Sequence, residues 1–505
     1  MWNRRELIGA GTAAFAATSL GRPAFGQSAL EEVEIDLHRE VGPLDHIWSR
    51  CAGSDRASVT MRESWRRDLD RFVQETGLER VRFHGILGDD MGVWPGGMRG
   101  PQPNFQNVDD VYDGLLARGV QPFVELSFMP GKLASAKTKL NFTYDANITP
   151  PASLDDWANF IQTFTRHLID RYGAKEVRQW YFEVWNEPNL RWFYTGTQQD
   201  YFAMYRATAR AVKAVDPEIR VGGPSTASVQ WIPEFLAFCA AEKLPVDFIS
   251  THIYAGDDQK EIFGQADRYP HSQVIPAALA QVRAQIDATP YRATQLWVSE
   301  WSSDSPAMIA HVLSQCLPHV HAMSQWALSN VFEEINFPNF IVKEGDGGWG
   351  MLAQRNIARP SFNTYRLLHR LGDRRLQTTG PALASRPGKG MAALVWNLAE
   401  VKQPSGIPGV ASKRIVEGSA KRYAVKLRGA RPGAAVKVSY VDQERGSPLP
   451  KWRELGSPQY PTREQTDQIR RAAEIPAPET RRLDRRGMLT LDLPPEGVAL
   501  IEMSA

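Results

Sequence analysis

Two acids in this chain stand where the pattern of a buried strand stops and a polar, aromatic turn begins. One is Glu187 in "YFEVWNEPNLRWF" (181–193), where a strand-like run ends in Trp185, Asn186, Glu187 and Pro188. The other is Glu300 in "LWVSEWSS". Two carboxyls facing each other across an aromatic-lined mouth suit cleavage of a glycosidic bond. One must be protonated to release the leaving oxygen, and the other ionised to attack or stabilise the sugar cation. Polar and aromatic residues fall at comparable strand ends elsewhere: Arg82 and His84, Phe128, Asn186, His252 and Tyr254, and the adjacent Glu333 and Glu334. Glu125 and Glu183 lie nearer the middle of their strands and read as structural. The histidines form no HExxH pair and the cysteines have no metal-ligand spacing, so neither metal nor cofactor is expected.

Such residues need a scaffold that brings many strand ends to one face. From about residue 44 to 370 short apolar runs alternate with amphipathic stretches. The candidate strands are "HIWSRC", "LERVRFHGI", "QPFVELSF", "VRQWYFEVWN", "IRVGGPS", "VDFISTHIY", "LWVSEWS" and "AMSQWALSNVF". Between them lie helical patterns such as "SLDDWANFIQTFTRHLIDRYG", with Ser153 placed to cap one end and Gly173 the other. Eight strands alternating with helices predict an α/β fold, a closed (β/α)8 TIM barrel whose functional residues cluster at the C-terminal strand ends. A doubly wound open sheet would need a glycine-rich phosphate turn after its first strand, and "CAGSDRAS" makes a poor one. Past about residue 375, short alternating pieces such as "KGMAALVWNL", "KRYAVKLRG" and "GVALIEM" predict an accessory β-sandwich, with one helix at "TREQTDQIRRAAE". "EEVEIDL" has no slot in the barrel and is assigned to that second sheet. The expected division is a barrel over 42–372 and an accessory domain over 30–41 and 373–505. The loop "KQPSGIPGVASKR" is expected to be mobile.

The chain has 505 residues, 43% apolar and 23% charged, with a formal charge of +2. That near-neutral balance points to neither nucleic acid nor an anionic surface as partner. At the N-terminus, Asn3-Arg4-Arg5 precedes the short apolar run "LIGAGTAAFAATSL" and the small-residue site Ala24-Phe25-Gly26. This pattern predicts an export signal over 1–26, similar to twin-arginine signals, and a periplasmic or secreted protein with no stable membrane association after its removal. Three widely spaced cysteines, Cys51, Cys239 and Cys316, do not make a disulfide framework and are expected to be buried. Composition leaves two other classes open, an inactive carbohydrate-binding protein and a structural protein. The two glutamates and the ring of polar strand ends argue against both.

"VRFHGILGDDMGVW", "PFVELSFMP", "WNEPNLRWF", "STHIY" and "WALSNVFEE", in that order, resemble glycoside hydrolase family 39, which contains β-xylosidases and α-L-iduronidases. The later "GSPQYPTREQTDQIRRAAE" resembles that family's accessory domain, so the similarity runs from about residue 34 to the C-terminus. The resemblance implies a retaining glycosidase with Glu187 as general acid/base and Glu300 as nucleophile. It implies that Asn186 holds the sugar 2-hydroxyl, and that Phe128, Phe193, Trp326 and Glu334 line the pocket with His84 in reach. His252 and Tyr254 are expected to keep Glu300 ionised, while aromatic neighbours desolvate Glu187. The expected substrate is an oligosaccharide cut by a monomer: a β-D-xyloside, cleaved from the non-reducing end of short xylo-oligosaccharides. An α-L-iduronidase, or an arabinoside- or exopolysaccharide-cleaving relative, is the alternative. A uronic acid would need a cationic clamp, yet "SNVFEE" and "HIYAGDDQK" carry more acids than bases. Arg82 is the one basic residue placed near the mouth, with Lys260 and Lys343 on loops.

Overall fold

The computed structural model describes residues 30–94, 102–139, 144–333, 349–402 and 415–504. The segment 1–26 expected to be an export signal, Glu334, Lys343 and residues 403–414 of the loop expected to be mobile lie outside these. A long strand, β1 (Glu31–Pro43), leads into β2 (Ala52–Arg56), β3 (Arg80–His84), β4 (Gln121–Glu125), β5 (Tyr181–Glu183), β6 (Arg220–Thr226), β7 (Phe248–His252), β8 (Gln295–Trp301) and β9 (Ala322–Gln325). Strands β2 to β9 are parallel neighbours in sequence order and close into a barrel, each followed by a helix, as the alternation predicts. Local chemistry explains the helices. In Leu154–Tyr172, the Ser153 side chain accepts from Asp156 N, the buried Trp157, Ile161, Phe164 and Leu168 recur at helical spacing, and Gly173 ends the run.

The barrel's inward positions stack in layers because alternate residues of a strand face the same way. Cys51, Phe123, Tyr181, Phe248, Trp297 and Ala322 form an apolar plug at the N-terminal end. Two residues further along the strands, the interior turns polar, with Arg82, Glu125 and Glu183 all buried. That change from plug to polar layer sets the floor of the site.

The first barrel strand differs from the expectation. "HIWSRC" is not a strand; the strand is the next five residues, "AGSDR". Ile47 and Trp48 owe their apolar character to packing in the main core. The true strand is small because Trp326 lies over it: a β-carbon on Gly53 would sit 2.5 Å from Trp326 Cε3. The strands in "VRQWYFEVWN" and "AMSQWALSNVF" are likewise shorter, ending at Glu183 and Gln325.

A second sheet of nine strands, mostly antiparallel, surrounds its own apolar core and supplies the predicted accessory β domain. β1 lies inside it, antiparallel to Arg374–Thr378 on one side and parallel to Lys421–Arg428 on the other. Val33, Ile35, Val425 and Leu491 pack in one cluster with Val395, Val438 and Ile501. The other face of the sheet, with Leu383, Leu394, Trp396, Val498 and Leu500, packs into the barrel's apolar core, and the Asn363 amide adds hydrogen bonds to Gly446 O and Ala473 O at 2.8 Å. Among the described residues no helix is long and apolar enough to cross a membrane. The three cysteines are buried and unpaired.

Candidate active site

Arg82, on β3, organises the polar layer from the middle of the barrel. Fully buried, its guanidinium reaches Glu125 Oε2 at 2.8 Å, Glu183 Oε2 at 2.6 Å and Glu300 Oε1 at 2.7 Å. It also donates to Asn186 Oδ1 at 2.9 Å. Burial alone would lower the guanidinium's pKa, but the three carboxylates outweigh it and hold it above its usual value. Burial would likewise raise Glu125; Arg82 and His84 reverse this and hold its carboxyl below the usual range. Glu125 and Glu183 are thus partners of Arg82 in the barrel floor. Because guanidinium only donates, Asn186 must turn its carbonyl to Arg82. Its Nδ2 is left buried without a partner, a donor held ready.

Past β5 the chain bends sharply. Trp185 and Glu187 take positive φ values of 73° and 44°, a conformation that costs a residue with a side chain on the order of 1–3 kcal/mol. The bend is held by Glu187 N donating to Ser225 O at 2.8 Å and the Trp185 indole donating to Phe193 O at 3.0 Å. It carries Glu187 across the mouth toward β7 and β8. With 7% exposure, its carboxyl is pushed up by burial to about 7, so it holds its proton through mildly acidic pH and begins to lose it near neutrality. His252 Nδ1 lies 2.9 Å from Glu187 Oε1. Burial also pushes this imidazole down, to about 4, so it is neutral near pH 7.

Glu300 has the opposite surroundings. Arg82 engages one oxygen, and the Tyr254 hydroxyl donates to the other at 2.9 Å. His252 is 3.6 Å from the same oxygen, farther than it is from Glu187. Arg82 and Tyr254 thus hold the two oxygens of Glu300, while the shorter contact of His252 is to Glu187. One ligand atom from each of Glu187, His252 and Glu300 lies within 4.8 Å of the others. That is the donor count of a small metal site, but Arg82 already supplies the positive charge at Glu300.

Aromatic rings form the walls. His84, bonded through Nδ1 to Glu125 Oε2 at 2.8 Å, has its ring 4.6 Å from Trp326, 5.9 Å from Phe128 and 6.1 Å from Phe193. Phe128 and Phe193 stack nearly parallel, 6.4 Å apart. Phe332 meets Trp326 edge-on, and Trp349 lies 5.7 Å from the Tyr254 ring. Of the residues expected from sequence, Glu187, Glu300, Asn186, His252, Tyr254, His84, Phe128, Phe193 and Trp326 therefore converge, and Glu334 lies outside the described residues. Sequence reasoning missed the roles of Ser225, Phe332 and Trp349, and of Arg56. Arg56 is a second basic residue at the rim, paired with Glu333 and with Asp90 at 3.1 Å and lying over the Tyr144 ring at 4.5 Å. The misplaced first strand hid it. Trp349 had one signal, a lone large ring in the glycine-flanked "GGWG".

The model of "Glycosyl hydrolases family 39" matches residues 31–490. The chain is 33% identical over 470 residues to a β-xylosidase of Caldicellulosiruptor saccharolyticus, covering 88% of this chain and 92% of that one. It is 32% identical over 482 residues to a β-xylosidase of Geobacillus stearothermophilus, covering 90% and 92%. The structure superimposes on a monomeric β-xylosidase from Caulobacter crescentus CB15 with a TM-score of 0.83 and 30% identity, covering 94% of this chain and 99% of that one.

Proposed function

This chain belongs to glycosyl hydrolase family 39 and is a glycoside hydrolase; we propose that it is a retaining, exo-acting β-D-xylosidase. The observation that carries the mechanism is a pair of carboxyls in contrasting surroundings with oxygens within 4.8 Å of each other. A retaining pair stands about 5–5.5 Å apart, whereas an inverting pair needs roughly 6.5–9.5 Å to admit a water. In this reading Glu187, protonated by burial, gives its proton to the leaving oxygen while Glu300 attacks the anomeric carbon. The glycosyl–Glu300 ester forms as the glycosidic bond breaks. Glu187, now ionised, takes a proton from water, which displaces Glu300 and restores both groups. Asn186 Nδ2 serves the sugar 2-hydroxyl, and Tyr254 and Arg82 hold the two oxygens of Glu300 in place.

The substrate reading draws on the two β-xylosidase relatives and on the walls. In this reading the rings of Phe128, Phe193 and Trp326, which cluster around His84, crowd a substituent on C5. Arg82 is consumed by three carboxylates and Arg56 by Glu333 and Asp90, so neither is free to clamp a uronate. We further read the protein as a monomer exported by its N-terminal signal. Comparing kcat/KM for nitrophenyl β-D-xyloside, α-L-iduronide and α-L-arabinoside tests the substrate. A tenfold preference for either competitor, about 1.4 kcal/mol of transition-state discrimination, would overturn the xyloside. NMR of the first product should show the substrate's own anomeric configuration; the opposite anomer would overturn retention.

A further inference from the structure

A third carboxyl stands at the mouth, one that the two-glutamate mechanism does not use. Asp55, on β2, is 0% exposed. Its neighbour Ser54 turns outward, accepting from the Trp65 indole at 2.9 Å on the following helix. Gly53 lies under Trp326. Asp55 turns toward the site: its Oδ2 accepts from Glu333 N, and although burial raises its carboxyl, the charges of His84 and Arg56 act against that rise. The other oxygen, Oδ1, is buried and has no partner. A buried acceptor left unmade is costly, and such costs persist where a function uses them. Behind it the Arg56–Glu333 pair, braced by Asp90 and Tyr144, closes the rim.

We propose that Asp55 is a specificity-determining residue that contacts substrate, its Oδ1 accepting a hydroxyl of the terminal sugar at the closed end of the pocket. The inference rests on the glycosidase reading and deepens it. β2 and β5 are separated by two strands around the barrel, so Asp55 grips the sugar from across the mouth while Glu187 acts on the leaving oxygen. The hydroxyl it accepts is on the ring edge away from the scissile bond, at C3 or C4. A free hydroxyl there is what a chain's non-reducing end provides. A uronate carboxylate at this end would meet Asp55 and Glu333 instead of a cation.

The test uses Asp55→Asn and Asp55→Ser in the full chain, with nitrophenyl β-xyloside and its 3-deoxy and 4-deoxy analogues. In Asp55→Asn the amide oxygen is retained by Glu333 N, so the NH2 falls where Oδ1 was and an acceptor becomes a donor. Expected is a loss of kcat/KM of about tenfold or more in each folded variant. One deoxy analogue should lose a similar factor with wild type yet lose little further with the variants, because hydroxyl and acceptor act as one contact. Additive penalties for both analogues, or variants with wild-type kcat/KM, would overturn the proposal. Circular dichroism melting identifies a variant that fails to fold, and the other variant then carries the cycle. If wild type prefers another glycoside, the xyloside reading fails by itself, and the same cycle on that sugar's deoxy analogues still judges Asp55.

Discussion

Replacing Glu187 with glutamine should change how stability depends on pH as well as abolish the proton donor. Burial raises this carboxyl from an ordinary 4.5 to about 7, a difference worth about 3 kcal/mol. Below pH 4.5 the group is protonated both folded and unfolded and has no effect. Between 4.5 and 7 the unfolded chain has released the proton while the folded one still holds it. Stability therefore falls by about 1.4 kcal/mol per pH unit from this group. Above 7 both forms are ionised and the full cost is present. The amide that replaces the carboxyl carries no charge at any pH. The stability of Glu187→Gln relative to wild type should thus rise by about 3 kcal/mol between pH 4.5 and 7.5, measured by urea unfolding at several pH values. In parallel, wild-type kcat/KM should decline above pH 7, as the protonated donor is lost. Stability differences that stay flat across this range would refute the assignment of burial as the cause, and an activity limb near pH 4.5 would refute Glu187 as the retained proton.

Glu300→Ala should abolish turnover and recover activity with azide, giving a glycosyl azide of inverted configuration. Glu187→Ala should keep more activity on dinitrophenyl than on alkyl glycosides, because a good leaving group needs little protonation; equal losses on both would contradict the division of roles. Arg82→Met removes the one cation shared by Glu125, Glu183 and Glu300, and should destabilise the protein by about 3–5 kcal/mol in urea unfolding. Gly53→Ala places a methyl 2.5 Å from Trp326 Cε3. It should cost about 1–3 kcal/mol in the same assay and raise KM by displacing a wall of the pocket.

Much of the architecture can be read in the chain because its signals are local. Ser153, Gly173 and the spacing of Trp157, Ile161 and Phe164 define a helix without reference to anything distant. Glu187 and Glu300 stand out for a similar reason, as acids at the ends of apolar runs. The misses are nonlocal. β2 starts with small residues because Trp326, some 270 positions later, needs the space over Gly53. The position of Arg82 at a strand end is legible, but its three partners are not, because β4, β5 and β8 each bring it a glutamate from far along the chain. His252 stands in reach of both glutamates, and its shorter contact to Glu187 depends on the turn that begins at Trp185, a backbone conformation that residue types alone do not specify.

The place of β1 sets an order on how the molecule is made. Its barrel lies within a continuous stretch from Ala52 to His369, so that part can close as soon as it leaves the ribosome. β1 emerges first of the described strands, yet Ile35 pairs with Thr378 and Val33 with Val425. At ~5–20 residues per second, the nascent strand waits roughly 20–70 s for its antiparallel neighbour, and longer for the parallel one. Throughout that interval an apolar, unpaired edge is open to other chains. The alternating Glu31, Glu32, Glu34 and Asp36 place charges along it, a feature that discourages edge-to-edge association. Three of these acids, Glu31, Glu34 and Asp36, later meet Lys421, Lys426 and Arg428 when the sheet is complete, so much of the guard on the early intermediate becomes a set of ion pairs in the finished protein.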